Sequence, residues 1–431
     1  MTDFHEQAAQ IAQKHVADES TERDQRASYD MGGPSLFWLA LKLVALAVIT
    51  LGVYRFWMTT HLRRHYWSSI RLGGDPFEYT GTGLEKLLGF LIALVILAVY
   101  LGIINLTLTF AGLFSLDDPW ELQIMLQLSF FAALPLIYFA TYRARRYILA
   151  RTRWRGIRFG MDQDAWGYTW RALLLTLISF LTLGLLYPYQ HFMLEKYKWD
   201  RSWFGTIKFE QGGSWKELFG YWVWFYIVGA LVVAAIAAAA INPENPAAIT
   251  VATALGMFGY LAIFLIGIRY QVAAFRYLWG HKTLGQTSFS NRIDTGEVIG
   301  IYIGGSMAVS MLTLLSALAV GGILAGILLA LGVDFDFSQL DPETLAASGS
   351  VDVFSRVALI VTVVIAYVSL IGFAIAYNQI FIVRPILRRK ADGMEVANLA
   401  AAASSQQRTH DEAAEAGGFA DALGVDVGAG F

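Results

Sequence analysis

The sequence RYILARTRWRGIRF at residues 146–159 decides how this chain is organised, because three related runs occur elsewhere in it. They are RHYWSSIRLGGDPF at 64–77, KYKWDRSWFGTIKF at 196–209 and RYLWGHKTLGQTSF at 276–289. In each run a phenylalanine follows the tyrosine after 11 or 12 residues, and a glycine follows the tyrosine after eight or nine. Four occurrences at so regular a spacing indicate an internal repeat.

The repeated positions are a basic residue, a tyrosine, a glycine and a phenylalanine. They are Arg64, Tyr66, Gly74 and Phe77; Arg146, Tyr147, Gly156 and Phe159; Lys196, Tyr197, Gly205 and Phe209; and Arg276, Tyr277, Gly285 and Phe289. We predict that each run begins at the end of a helix, turns at its glycine and forms a short β-hairpin arm.

Two roles fit this motif. In the first, the arms form an interfacial collar, in which Lys and Arg reach lipid phosphates and aromatic rings lie at the headgroup level. In the second, they form a basic vestibule that collects an anionic solute or polymer. The partner predicted by the first role is the lipid bilayer, with anionic lipids, and a net charge of −2 argues against nucleic acid. A homo-oligomer or a membrane partner stays open.

A longer period contains the four runs. Gly52 and Gly184 lie 132 residues apart, and Tyr66 and Tyr197 lie 131 apart. A unit of three apolar segments and two basic loops is therefore predicted to be duplicated. The expected divisions are a largely disordered polar segment (1–35), a first membrane repeat (36–160), a second (161–290), a partial third (291–390) and a disordered acidic, Ala- and Gly-rich tail (391–431).

The composition predicts a polytopic membrane protein of the all-α class. Apolar residues make up 56% of the 431 residues and charged residues only 15%, whereas soluble chains carry about 25% charged residues. About eight apolar segments are long enough to meet a bilayer. They lie near 36–57, 87–110, 122–142, 171–189, 218–241, 248–268, 298–331 and 355–383.

The distribution of basic residues predicts the orientation. Four loops and the run 384–390 together hold 25 of the 32 Lys and Arg residues. The loops 111–121, 241–247 and 332–352 hold none, and they carry nine acidic residues. Since basic loops remain in the cytoplasm, we expect a multi-pass protein of the bacterial inner membrane with its basic loops on the cytoplasmic side.

Segment 171–189 conflicts with a simple crossing topology, because a basic loop lies on each side of it. We therefore expect this segment to enter and leave by one face, and the same argument applies to 36–57. Helix breaks are expected at Gly52, Gly184 and Pro188, because glycine loosens a helical turn and proline removes a backbone hydrogen bond. Whether the two segments cross fully stays open at this point.

The chain resembles the YjgN-like family of bacterial inner-membrane proteins over about residues 36–390. The residues that carry the resemblance are Thr50-Leu51-Gly52, Arg63-Arg64-His65-Tyr66, Arg155-Gly156-Ile157-Arg158-Phe159-Gly160, Thr182-Leu183-Gly184 and Lys196-Tyr197. The family is defined by a domain of unknown function, so the resemblance implies a location and an architecture but no catalytic residues. The chain departs from the pattern at His65 and at Gly73-Gly74-Asp75-Pro76.

No catalytic constellation is found in the sequence. It has no cysteine, which excludes disulfides, thiolate metal sites and cysteine nucleophiles. HExxH, GxSxG and GxxxxGK[ST] patterns are missing, so we expect no enzyme activity, no metal site and no cofactor. We expect a membrane-organising or partner- and lipid-binding protein. The alternative is a transporter or channel for an unidentified small solute, built on the repeats.

Overall fold

The computed structural model describes residues 26–30, 36–110, 119–330 and 353–408. The acidic loops 111–118 and 332–352 and the tail beyond residue 408 lie outside them. The helices are α1 (Leu36–Ile49), α2 (Arg55–Ser69), α3 (Gly83–Phe110), α4 (Pro119–Ala150), α5 (Ala165–Leu181), α6 (Tyr187–Trp199), α7 (Trp215–Ile241), α8 (Pro246–Gly280), α9 (Thr295–Ala330), α10 (Val353–Asn378), the π-helical turn Gln379–Val383, α11 (Arg384–Asp392) and α12 (Leu399–Ala403).

Ten short strands lie between these helices. They are β1 (Ala27–Tyr29), β2 (Ile70–Leu72), β3 (Asp75–Tyr79), β4 (Thr152–Trp154), β5 (Ile157–Met161), β6 (Ser202–Phe204), β7 (Ile207–Gln211), β8 (Lys282–Leu284), β9 (Thr287–Asn291) and β10 (Met394–Ala397). Each of the four repeated runs forms a hairpin with a three-residue strand, a two-residue turn and a five-residue strand. The predicted hairpins are therefore present.

The turns of these hairpins explain the repeated glycine. Gly73 and Gly74 both have positive φ, as do Arg155 and Gly156, which is the backbone of a type I′ turn. Gly205 and Gly285 have φ of +53° and +58° at the first turn position, as a type II′ turn requires. Both turn types match the right-handed twist of the strands.

The hairpins join into one antiparallel sheet in the order β1 to β10. A bridge between Arg26 and Glu395 pairs the beginning of the chain with β10, and Tyr29 donates its backbone N–H to Asp392 at 2.9 Å. The strands therefore form a closed ring, and closure satisfies the edges that an open sheet leaves unpaired. The chain is mostly helical with short hairpin arms, as predicted, and the structure adds that the arms join into one sheet. A single two-stranded hairpin is only marginally stable alone.

Every helical segment leaves this sheet and returns to it. Helices α5 and α6, for example, lie between β5 and β6, and these two strands pair with each other. Paired strands flank each of the other helical segments in the same way: β1 and β2, β3 and β4, β7 and β8, and β9 and β10. The four basic loops thus each contribute a hairpin to the same sheet.

Among the described residues, six helices are long and apolar enough to cross a membrane. They form three pairs, in α3 and α4, in α7 and α8, and in α9 and the stretch from α10 to α11. The structure thus supports six spans of the eight apolar segments expected. Each of the other two segments is broken into two shorter helices. Segment 36–57 contributes to α1 and α2, which have 14 and 15 residues. Segment 171–189 contributes to α5 and α6, which have 17 and 13 residues.

The chain divides into two compact units. One comprises residues 1–30, 63–299 and 388–431 and contains the sheet; the other comprises 31–62 and 300–387. Within the second unit α1 packs on α10, with Val44 against Gly372. A Cβ at Gly372 would lie 3.0 Å from Val44, so the absence of a side chain permits this close approach.

Part of the predicted disordered tail is ordered. Strand β10 pairs with β9, and Val396 is buried opposite Phe289. Ser405 donates a hydrogen bond of 2.8 Å to the Phe204 carbonyl. The composition of the tail predicted disorder, but a segment with too few apolar residues to form its own core can still add a strand to the edge of an existing sheet. The predicted repeat boundaries stay predictions.

Candidate functional site

The four motif phenylalanines meet inside the ring. The ring centroids of Phe77 and Phe159 lie 6.2 Å apart, those of Phe159 and Phe209 6.4 Å, and those of Phe209 and Phe289 6.3 Å. Each pairs across strands with the last residue of the next three-residue strand or with β10; Phe159, for example, lies opposite Phe204. The repeated phenylalanine therefore builds the core, where aromatic pairs add to burial.

The motif tyrosines connect the two helices of each pair at the sheet. Tyr147 at the end of α4 donates to Glu85 at the start of α3, at 2.7 Å. Tyr197 at the end of α6 donates to Asp164, which precedes α5. Tyr277 near the end of α8 accepts the backbone N–H of Ser214, which precedes α7, at 2.8 Å. Tyr66, the fourth, is also buried.

Three of the motif basic residues hold the end of their own hairpin. Arg64 donates to the Gly81 carbonyl at 2.9 Å, Arg146 to that of Met161 at 3.1 Å and Lys196 to that of Gln211 at 2.7 Å. Arg276 is exposed at the surface of α8. These three basic side chains thus serve hydrogen bonding within the protein, and the lipid contact predicted for the motif stays a prediction.

The predicted helix breaks lie at two matching turns. Leu51 and Gly52 have φ of 49° and 87°, and Leu183 and Gly184 have φ of 52° and 84°. Pro188 is buried in the first turn of α6, where its missing N–H costs nothing. Segment 171–189 turns back at Gly184, because α5 and α6 contact each other and connect the paired strands β5 and β6. Segment 36–57 has the same backbone turn at Gly52.

A buried charge cluster beneath the sheet is the candidate site. Glu195 of α6 accepts from Lys198 at 2.5 Å and lies 3.9 Å from the Arg145 guanidinium of α4. The ammonium of Lys282 on β8 lies 4.2 and 4.3 Å from the ring centres of Trp199 and Trp279. Three cations therefore share one carboxylate, and the Nε of Arg145 has no hydrogen-bond partner.

The electrostatics of the cluster follow from its burial. Burial raises the pKa of Glu195, but the charges of Lys198 and Arg145 outweigh it and leave this pKa far below the usual value. Burial lowers the pKa of Lys282 well below its usual range, more than Glu195 compensates. Cation–π contact with two tryptophans offsets part of the cost of the Lys282 charge. The cluster is suited to hold a small anion or to contain a neutral lysine.

The same face of α6 is polar over its length. Tyr187, His191, Glu195 and Lys198 follow one another at intervals of four, four and three residues. His191 Nδ1 lies 3.1 Å from the Tyr270 hydroxyl of α8, and burial lowers the pKa of His191. A neutral imidazole at this place acts as a hydrogen-bonding group and adds no fourth cation.

Residues 25–314 match the family described as a bacterial protein of unknown function, DUF898, over about two thirds of the chain. The chain belongs to this family. YjgN-like proteins are members of it, so the resemblance seen in the sequence is confirmed. No curated protein and no solved structure matches the chain. In this DUF898 protein the match covers β1 to β9, and thus all four hairpins.

Sequence reasoning missed the charge cluster of this DUF898 protein. Glu195 and Lys198 were assigned to a basic loop, although the four-residue spacing of Tyr187, His191 and Glu195 is a helical signal. It also missed the helix caps, which lie five residues after each motif phenylalanine: Thr82, Asp164, Ser214 and Asp294. Glu85, Glu217 and Glu297 follow three of these caps after three residues, which is the pattern of a capping box.

Proposed function

We propose that this DUF898 protein is a membrane-organising protein of the bacterial inner membrane, which holds its ring of strands against the cytoplasmic surface and binds anionic lipid there. The observation that carries the proposal is that all the helical segments are attached to the same sheet. Each helical segment begins and ends at the sheet, and 25 of the 32 Lys and Arg residues lie in the hairpins with their adjoining helix ends or in the run 384–390. The positive-inside rule would then place the whole sheet in the cytoplasm.

Exposed basic side chains lie where the helices meet the sheet. They include Arg171 near the start of α5, Lys216 at the start of α7 and Arg276 near the end of α8. A helix end beside a membrane-spanning segment lies at the depth of lipid phosphates. Each Lys or Arg near an anionic surface contributes about 1 kcal/mol of attraction, so three of them form an effective lipid contact.

The duplication of a three-segment unit is part of this proposal. Four hairpins with the same strand lengths and two Leu-Gly turns with the same backbone angles support an origin from repeated units. A ring built from such units gives a broad platform for lipid or for a protein partner. We propose no catalytic role, since the named residues serve packing and charge pairing.

The lipid contact is tested by thermal unfolding in vesicles with and without phosphatidylglycerol. Replacing Arg171, Lys216 and Arg276 together by Gln should abolish the stabilisation that phosphatidylglycerol gives the parent protein. A control variant, Lys208→Gln with Arg292→Gln, removes two exposed charges from the strand region and should keep it. Equal stabilisation of the triple variant would overturn the lipid-binding role.

A second candidate function is passage of a small anionic solute. The excess of cations over carboxylates in the cluster of Arg145, Glu195, Lys198 and Lys282 favours it, because an anion would neutralise a buried charge. Flux of phosphate, sulfate or carboxylates into vesicles tests this function. Arg145→Gln should reduce a specific flux many-fold, and a flux equal to that of empty vesicles would exclude the candidate for those solutes.

A further inference from the structure

We propose that helices α5 and α6 form a re-entrant hairpin, which inserts into the sheet-side leaflet alone and places its turn, residues 182–186, among lipid acyl chains near the middle of the bilayer. The proposal shares the membrane setting of the proposed function but does not depend on anionic lipid. Its occupant is the acyl chain of a phospholipid, and five observations on the hairpin support it.

The first observation is topological. The hairpin begins after β5 and ends before β6, and Phe159 of β5 pairs directly with Phe204 of β6. Both ends are therefore fixed on one side. A 17-residue helix is about 25 Å long, so α5 can reach the middle of a hydrocarbon core of about 30 Å from outside it but cannot cross the membrane and return.

The second observation is the exposed face of α5. Trp166, Trp170, Leu174, Leu177 and Leu181 all lie at intervals of three or four residues and are exposed. They form one apolar stripe on the helix. The two tryptophans and the exposed Arg171 stand at the sheet end, where interfacial residues belong. The exposed side chains beyond them are all apolar: Leu174, Leu177, Phe180 and Leu181. The stripe thus changes from interfacial to fully apolar side chains along the helix, as a membrane leaflet changes from headgroups to acyl chains.

The third observation is the tip. Leu183 is 87% exposed and Phe180 is 71% exposed, although both are large apolar side chains. The tip lies 13 residues beyond Trp170, and Leu181, 11 residues beyond it, lies about 16 Å deeper along the helix. This depth is close to half the hydrocarbon thickness. In water such a tip would be a costly exposed patch.

The fourth observation is that the turn satisfies its backbone inside the protein. Trp222 of α7 donates its indole N–H to the Gly184 carbonyl at 2.9 Å, and Tyr226 donates its hydroxyl to the Leu183 carbonyl at 2.8 Å. Non-helical backbone is tolerated at membrane depth only when such partners exist. The donors lie one turn apart on a helix long enough to span the membrane.

Further polar groups of the turn are paired within the chain. The N–H groups of Leu183, Gly184 and Leu185 donate to the carbonyls of Phe180, Ser179 and Thr182. The Thr182 hydroxyl donates to the Ile178 carbonyl at 2.9 Å.

The fifth observation is the pair of helices on which the hairpin packs. Helix α5 packs on α4 and α6 packs on α7, so the hairpin lies between two helices that are themselves long enough to cross.

The chain has no cysteine, so single cysteines report depth directly. Leu183→Cys, Trp166→Cys and Asn242→Cys are labelled with a bimane fluorophore in phosphatidylcholine vesicles whose acyl chains carry bromine near the carbonyl or near the chain end. We expect the label at position 183 to be quenched most by chain-end bromine, and the label at 166 by bromine near the carbonyl. Position 242, in the loop between α7 and α8, should be quenched least.

A membrane-impermeant maleimide distinguishes the remaining outcomes. Leu183→Cys should react at least tenfold more slowly than Asn242→Cys from either side. Rapid reaction from the side that labels Asn242→Cys would show that the segment crosses. Rapid reaction from the opposite side would show that the hairpin lies on the surface. Either result overturns the proposal, whereas equal stabilisation of the parent protein and the triple Gln variant by phosphatidylglycerol would overturn only the lipid-headgroup role.

A second variant keeps the proposal testable if a tip substitution disturbs folding. Tyr226→Phe leaves the Leu183 carbonyl without its donor, and in vesicles we expect the unfolding midpoint to fall by about 2–4 °C. Tyr260→Phe is the control, since Tyr260 is 79% exposed on α8. An equal midpoint for both variants would show that the turn is reached by water and is not embedded.

Discussion

Lys198 donates a hydrogen bond of 2.5 Å to Glu195, one helical turn before it. The pair lies beside Arg145 of α4 and close to Lys282 of β8. Glu195 is thus the one carboxylate identified in a cluster with three cations. Taking a charge out of water costs several kcal/mol, so the protein retains this arrangement against a clear energetic penalty.

Loss of the central carboxylate should be severe. Glu195→Gln leaves Arg145, Lys198 and Lys282 without a neutralising charge, and breaking a buried pair in this way costs about 3–5 kcal/mol. Thermal unfolding of the purified protein in detergent measures the change. Glu210→Gln on the exposed side of β7 is the matched control and should lie within about 0.5 kcal/mol of the parent.

Lys282 should destabilise the fold at neutral pH. Because burial lowers its pKa in the folded state, the unfolded chain binds more protons up to about pH 10, and stability rises with pH over that range. Lys282→Met keeps the volume and removes the charge, so it should be at least as stable as the parent at pH 7. Its advantage should shrink as the pH approaches 10. An advantage independent of pH would contradict the assignment.

Gly160 should not tolerate a side chain. It lies in β5 opposite Trp203, and a Cβ there would meet the indole ring at 2.1 Å. Gly160→Ala should therefore lower stability by about 1–3 kcal/mol, as overpacking does. Gly220→Ala in α7 has open space around its Cβ and should be neutral or stabilising. Denaturation of both variants against the parent checks the difference.

Closure of the ring should depend on β10. Val396 is 1% exposed and lies opposite Phe289, so Val396→Asp buries a charge in the aromatic core and should prevent or strongly weaken folding. Ala397→Asp places the same charge on the exposed neighbour and should be tolerated. Limited proteolysis compares the two, and equal resistance would show that β10 does not complete the core.

The repeat could be recognised in the sequence because the geometry of a hairpin fixes the number of residues between its turn and its core position. Glycine is needed at the turn, and an aromatic residue is needed at the core position a few residues later. Gly156 and Phe159 satisfy both needs within a few residues, so hairpins were predictable. The same holds for the Leu183-Gly184 break, because positive φ is a local property of the backbone.

The role of the motif side chains was not readable in this way. Tyr147 and Arg146 look like interfacial residues in the sequence, since aromatic and basic side chains suit a membrane surface. Their partners, Glu85 and the Met161 carbonyl, lie 62 and 15 residues away, and only the folded chain brings them together. The same residue types form contacts within the protein and contacts with lipid, so the composition of the motif cannot distinguish between these two roles.

The sequence alone determined that the chain is apolar enough for a membrane, repetitive, helical between its hairpins and a member of a recognisable family, because hydropathy and spacing are properties of the linear chain. Tertiary structure decided that four hairpins, β1 and β10 close into one ring, that segment 171–189 turns back on itself, and that a half-buried Glu195 lies among buried cations. These features depend on which distant groups meet, and pairing between residues tens to hundreds of positions apart leaves no local signal.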